Sequence, residues 1–242
     1  METFIGISIP FIGTLLGSTM VYFLKKNLSK GFERIILGLA AGVMIAASIW
    51  SLLIPSMEMA ECIIWLPASI GMIIGIFIFY FIDLILKKKK IEKSEKVDNI
   101  MLAVTLHNIP EGMAVGIAFA SYLSGGLSLA ACYALAIGIA IQNFPEGTIV
   151  SLPLYKKGYS KNKAFFYGFI SALFELFGAI ITLIFTNIVS VIMPYLLALA
   201  AGAMFYVTIV ELIPESDSEN KTNVIGFLIG FLIMMILDVT LG

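Results

Sequence analysis

Eight apolar runs of spanning length divide this chain almost without remainder: 3–24, 35–56, 63–86, 98–121, 127–154, 162–186, 191–213 and 222–241. A helix needs about 20 mostly apolar residues to cross the hydrocarbon core of a bilayer. The fold class this predicts is an all-α integral membrane protein of eight transmembrane helices, one membrane domain over residues 1–242. Composition agrees, with 60% hydrophobic and 13% charged residues and a mean hydropathy of +1.03. A soluble domain carries about 25% charged residues and has nowhere to hide this much apolar surface.

Charge is distributed one-sidedly along the breaks. Lys25, Lys26, Lys30 and Arg34 fall between runs 1 and 2, and Lys87–Lys90, Lys93 and Lys96 between runs 3 and 4. Lys156, Lys157, Lys161 and Lys163 fall between runs 5 and 6, and Lys221 between runs 7 and 8, while the alternate breaks carry no basic residue. Lys and Arg near span ends stay on the cytoplasmic side, so both termini are expected to be extracytoplasmic. Residues 87–98 read as a cytoplasmic Lys-rich loop, which sets topology and adds attraction to anionic lipid of about 1 kcal/mol per charge. The outer side carries only acids: Glu2, Glu58, Glu61 and, near the end of run 8, Asp238. Such a mouth either concentrates cations or is what remains once topology has removed Lys and Arg.

Other features exclude function classes. A net charge of −1 with a pI near 5.9 gives no reason to expect nucleic acid. Cys62 and Cys132 lie far apart and read as packing thiols, not as a disulfide framework or zinc knuckle. The first apolar run follows Met1 and Glu2 without a basic leader segment, so no cleavable signal peptide is expected. The Lys- and Ile-rich composition points to a prokaryotic cell membrane (inner or plasma), with the bilayer as the constant partner.

Two internal repeats organise the spans. Leu37–Met44 reads LGLAAGVM and Leu197–Met204 reads LALAAGAM, both running on to a Leu-Ile-Pro at 53–55 and 212–214. They lie on runs 2 and 7, which the charge pattern points in opposite directions. An inverted repeat of this kind is characteristic of alternating-access transporters, although small residues also serve ordinary helix packing. The second repeat is sharper. His107-Asn108-Ile109-Pro110-Glu111-Gly112 returns on the neighbouring run as Gln142-Asn143-Phe144-Pro145-Glu146-Gly147. Both motifs stand at similar distances from the intervening turn, so at about 1.5 Å per residue they share a depth near mid-membrane.

Those motifs carry the chemistry. An ionised side chain at the bilayer centre costs at least about 2.5–3.5 kcal/mol, and this chain places Glu111, Glu146 and, in run 6, Glu175 there. No Lys or Arg lies in a run core to pair with them. Divalent cations supply the missing charge: against three carboxylates, one leaves −1 and two leave +1, so a two-metal cluster is electrostatically reasonable. Residues four apart share a helix face, so His107 projects with Glu111 and Gln142 with Glu146, while Asn108 and Asn143 stand one step round with amide oxygens. Pro110 and Pro145 each remove a helix hydrogen bond, which frees the carbonyls of Leu106 and Ile141. Irregular backbone at that depth is tolerated where it lines a cavity.

HNIPEG followed by QNFPEG, a glutamate on run 6, eight runs and both termini outside resemble the ZIP family of metal transporters over essentially the whole chain, with Gln142 similar to the GufA-type branch. The resemblance implies a binuclear centre. One site would be His107, Glu111, Gln142 and Glu146; the other would be Asn108, Glu111, Asn143, Glu146 and Glu175, with Glu111 and Glu146 bridging. It also implies movement of metal toward the cytoplasm and a homodimer. Gln142 stands where several branches have a second histidine, and Asn143 where some have aspartate.

The expected function is therefore divalent metal transport by a single transporter domain. Asp238 lies on the outer approach, and Glu211, Glu215 and Asp83 on the inner release path. A donor set of oxygens with one imidazole and no thiolate suits zinc first, then iron(II), manganese, cobalt and cadmium. The metal is cargo, and no catalytic cofactor is expected. A passive divalent cation channel using the same site is the alternative. An intramembrane zinc protease, which needs two histidines in HExxH, conflicts with a chain holding one histidine, so no enzyme is expected.

Overall fold

The structure, a computed structural model, describes residues 1–23, 29–60, 62–88, 96–213 and 221–241. Among these residues it is all-helical. Helix α1 runs Glu2–Phe23; α2, Lys30–Ala47, continues through a π-helical turn at Ser48–Leu53 into the short α3, Ile54–Glu58. Then follow α4 (Trp65–Lys88), α5 (Lys96–Leu123), α6 (Leu129–Lys156) and α7 (Lys161–Ile184). Helix α8 (Thr186–Val207) ends in a second π-helical turn at Thr208–Leu212, and α9 spans Thr222–Leu241.

Among the described residues seven helices are long and apolar enough to cross a membrane; α5, which carries HNIPEG, is not one of them. Serines begin several helices: Ser29, Ser128 and Ser160 accept the backbone N–H of Phe32, Ala131 and Lys163. Each such cap stabilises its helix by about 1 kcal/mol. Residues 187–190, the gap between the sixth and seventh apolar runs, lie in α8 and not in a break, because the chain turns at the single residue Phe185, whose carbonyl already accepts the N–H groups of Ile188 and Val189. Helix ends also depart from the apolar runs at α2, which starts at Lys30 because Ser29 caps it.

The surface is inverted relative to a soluble protein. Large apolar side chains such as Phe77, Phe81, Val191, Ile225 and Leu228 are exposed, while Glu111, Gln142, Asn143, Glu146 and Glu175 are buried. The chain is a helical, multi-pass membrane protein.

Four helix pairs carry most of the packing: α1 with α6, α5 with α7, α2 with α9, and α4 with α8. In each, glycines of one helix lie on backbone carbonyls of the other, where a Cβ has no room. Gly13 and Gly17 of α1 face the carbonyls of Ala140 and Phe144, and Gly178 of α7 faces that of Ile109. Gly42 faces Phe227, and Gly75 faces Leu199. Close approach through small residues is how membrane helices gain contact without a hydrophobic driving force.

The registers show that α1 runs parallel to α6, and α5 parallel to α7. Helices α5 and α6 form a hairpin through residues 124–128, with Cys132 Sγ on the Ala118 carbonyl and Phe119 against Tyr133. The two parallel pairs therefore point in opposite directions. Exchanging α1, α2 and α4 with α7, α8 and α9, and α5 with α6, maps the four pairs onto one another. It also maps one π-helical turn onto the other. Helices α1, α5, α6 and α7 form one group and α2, α4, α8 and α9 a second; a buried cluster including Met44, Met113, Ile149 and Met204 joins them.

Candidate metal centre

The polar residues that sequence places at mid-membrane are brought together inside the first helix group. Helix α5 contributes Asn108 and Glu111, α6 contributes Gln142, Asn143 and Glu146, and α7 contributes Glu175; none is more than 1% exposed. The glycine contacts explain the convergence. Gly112, next to Glu111, packs on the Glu175 carbonyl, and Gly147, next to Glu146, packs on that of Thr14. Each motif's carboxylate is thereby drawn to the line where the helices meet.

Hydrogen bonds orient part of the set. Gln142 Nε2 donates to Glu111 Oε1 at 2.6 Å, bridging α6 to α5. Asn108 Nδ2 donates to the carbonyl and hydroxyl of Ser171 at 3.1 and 3.2 Å, and Thr105 Oγ1 lies 3.1 Å from the same hydroxyl. Thr14 Oγ1 donates to Glu175 Oε1. What remains is telling: Asn108 Oδ1, Asn143 Oδ1 and Glu175 Oε2 are buried without a hydrogen-bond partner. The cost of burying a polar group unpaired is roughly 1–3 kcal/mol in proteins, so several together at one depth need a common partner. The orphans that must be oxygen are acceptors, and only a donor or a cation satisfies acceptors. The Asn143 amide faces the Glu175 carboxylate with its nitrogen, the only end that can donate to it, which leaves its oxygen as a further acceptor.

The side chain of His107 lies outside the described residues, although its backbone is part of α5. Among the described residues no three His, Cys, Asp or Glu side chains form a metal-ligand group; the arrangement leans on the amides.

Beyond the cluster, Ser51, in the first π-helical turn, sits with Oγ 2.7 Å from Asp238 Oδ1 and 3.3 Å from Gln142 Oε1. Its single proton serves the shorter contact. Asp238, Ser51, Gln142 and Glu111 thus form a continuous polar line from α9 into the cluster. Asp83, on α4, accepts from Tyr206 Oη at 3.1 Å. Glu211 falls in the second π-helical turn with its side chain outside the described residues, and Glu215 and Glu61 lie wholly outside them, as do the loop lysines Lys25, Lys26, Lys89, Lys90 and Lys93.

Thr14, Ser51 and Ser171 escape a reading of the sequence that looks for charge. One signal was present: Thr14–Ser18 reads TLLGS and Glu175–Ala179 reads ELFGA.

Buried carboxylates and unpaired amide oxygens at the centre of a multi-pass helical fold define a membrane protein with a polar, cation-suited interior. Comparison with known proteins gives the family. Residues 97–238 match the family described as ZIP Zinc transporter. Zinc transporter ZIP11 of Xenopus tropicalis is 31% identical, covering 100% of this chain and 98% of that protein. Zinc transporter ZIPB of Bordetella bronchiseptica is 32% identical over 98% of this chain and 81% of its own length. Zinc transporter GufA of Myxococcus xanthus is 36% identical over 59% of this chain and 55% of its own length. The chain belongs to the ZIP zinc transporter family.

Proposed function

We propose that this chain carries divalent metal ions, zinc foremost, toward the cytoplasm by alternating access through a binuclear centre in the first helix group. The reading is carried by one observation: the unpaired buried oxygens of Asn108 and Glu175, beside Glu111 and Glu146 on facing helices. His107, Glu111, Gln142 and Glu146 hold one ion. Asn108, Glu111, Asn143, Glu146 and Glu175 hold the second. The relatives are named zinc transporters, which puts zinc first. An oxygen-rich donor set also admits iron(II), manganese, cobalt and cadmium.

In this reading α5 is the eighth span, residues 1–242 form one transporter domain, and both termini face outward in the cell membrane. Metal approaches past Asp238 and Ser51, whose polar line to Gln142 and Glu111 leads to the centre. It leaves past Glu211, Glu215 and Asp83. The opposed direction of the two parallel helix pairs supports an inverted repeat, the architecture in which one packing arrangement opens first to one side and then to the other. A homodimer is the expected assembly. The carboxylates serve as ligands for cargo, with no catalytic role.

The test is zinc uptake into proteoliposomes, comparing wild type with a Glu111→Ala, Glu146→Ala variant. Saturable uptake abolished in the variant is the expected result. Equal uptake in both overturns the site. Uptake that rises linearly with zinc, without saturation, favours a channel over a carrier.

A further inference from the structure

The helix registers place Thr14 where the repeat places Glu175. Gly147, in the α6 motif, packs on the Thr14 carbonyl, and its counterpart Gly112, in the α5 motif, packs on the Glu175 carbonyl. Gly17 packs on the Phe144 carbonyl and Gly178 on that of Ile109, and Phe144 and Ile109 occupy the same motif position. Both correspondences carry the same shift, so TLLGS at 14–18 matches ELFGA at 175–179. Thr14 and Glu175 are therefore equivalent positions on α1 and α7, and their side chains meet: Thr14 Oγ1 donates to Glu175 Oε1.

Threonine and serine inside helices commonly return their proton to the carbonyl one turn back. Ser18 does so to Thr14, and Thr182 does so to Gly178. Thr14 is fully buried and spends its proton across helices, on a carboxylate. A hydroxyl-to-carboxylate bond is charge-assisted and directional. It occupies one oxygen of Glu175 and leaves Oε2 without a hydrogen-bond partner.

We propose that Thr14 is a positioning residue of the metal centre: by holding Glu175 Oε1 it fixes the carboxylate so that Oε2 faces the cargo ion. The inference rests on the reading of the cluster as a metal site. It explains why the repeat is chemically asymmetric here. A second glutamate at position 14 would bring a fourth buried negative charge against Glu175, whereas a hydroxyl supplies a donor and no charge.

The experiment uses the full chain in proteoliposomes, with zinc uptake measured for Thr14→Val, Thr14→Ser, Glu175→Ala and the Thr14→Val, Glu175→Ala double variant, and equilibrium zinc binding measured on the purified proteins. Valine keeps the shape and removes the donor; serine keeps the donor. Thr14→Val is expected to raise the KM for zinc about tenfold, the size of one hydrogen bond to a charged group, and to weaken binding in step. Thr14→Ser should stay close to wild type, and Thr14→Val should add nothing once Glu175 is alanine and no acceptor remains. If Thr14→Val lowers folded protein, Thr14→Ala, which also removes the donor, is measured in its place. Wild-type KM in Thr14→Val alongside an impaired Glu175→Ala overturns the proposal, as do additive losses of zinc binding in the double variant or equal losses in Thr14→Val and Thr14→Ser. Loss of the metal-site reading itself shows separately, as unchanged uptake in Glu111→Ala.

Discussion

Asn108 illustrates how little freedom the cluster leaves each donor. Its amide nitrogen is committed to Ser171, so only its oxygen can face the interior. Ser171→Ala removes one of the two bonds that hold the amide. It should weaken zinc binding by about 1 kcal/mol, the net worth of an ordinary hydrogen bond; isothermal titration of the purified protein reads this directly, and unchanged affinity would detach Ser171 from the site. Gln142 supports a second prediction. It offers a neutral amide where an imidazole would favour zinc over harder ions, so Gln142→His should raise zinc uptake relative to manganese several-fold in competition assays. An unaltered ratio would mean that Gln142 does not touch the cargo. Glu111, Glu146 and Glu175 are legible in the sequence because a carboxylate in lipid is too costly to be incidental. Thr14, Ser51 and Ser171 are not, because a hydroxyl satisfies itself cheaply within its own helix. Only the registers reveal which of them point elsewhere.

Helices are the scale at which this sequence is most readable, since an apolar run of spanning length has few alternatives to a membrane helix. Its less visible features are the joints. The turn between α7 and α8 is reduced to Phe185, and the π-helical turns at Ser48–Leu53 and Thr208–Leu212 lie just ahead of a proline in the sequence, Pro55 and Pro214, each of which lacks the N–H that would bond a carbonyl four residues back, inside the turn. Such turns gather at functional sites, and the first presents Ser51 to Asp238 and Gln142. Glycines separate pairing from mere helicity. Gly17 lies directly on the Phe144 carbonyl, whereas a Cβ on Gly138, on the same α6, meets nothing within 4 Å. Gly17→Leu should therefore force α1 from α6 and destabilise the protein by at least about 1–3 kcal/mol, the usual cost of overpacking. Gly138→Ala should stabilise α6 by roughly 0.5–1 kcal/mol through backbone entropy. Melting of the two purified variants in detergent checks both signs. A tolerant Gly17→Leu would mean that the α1–α6 contact is loose.

The whole molecule repeats one solution twice, and the repeats differ in how far the sequence betrays them. LGLAAGVM and LALAAGAM remain nearly identical, and so do the two proline motifs. The match of α4 to α9 survives only as spaced glycines followed by an acid, Gly71, Gly75 and Asp83 against Gly226, Gly230 and Asp238. Lipid-facing positions between those glycines accept any large apolar residue, so their identities drift while the contacts persist. The same division separates function: every described residue of the cluster belongs to α1, α5, α6 and α7, whereas Asp238, Ser51 and Asp83 belong to the other helix group. In the proposed alternating-access mechanism, transport requires the first group to move against the second, while binding does not. Ile36 of α2 and Thr148 of α6 line one crevice between the groups. With Cys62 and Cys132 replaced by serine and alanine, cysteines at 36 and 148 joined by a short bifunctional crosslinker should halt zinc uptake while leaving equilibrium zinc binding intact. A reducible linker should restore uptake on cleavage. Undiminished uptake in the fully crosslinked protein would show that the groups do not move apart along this contact, and the carrier mechanism would have to work within the first helix group alone.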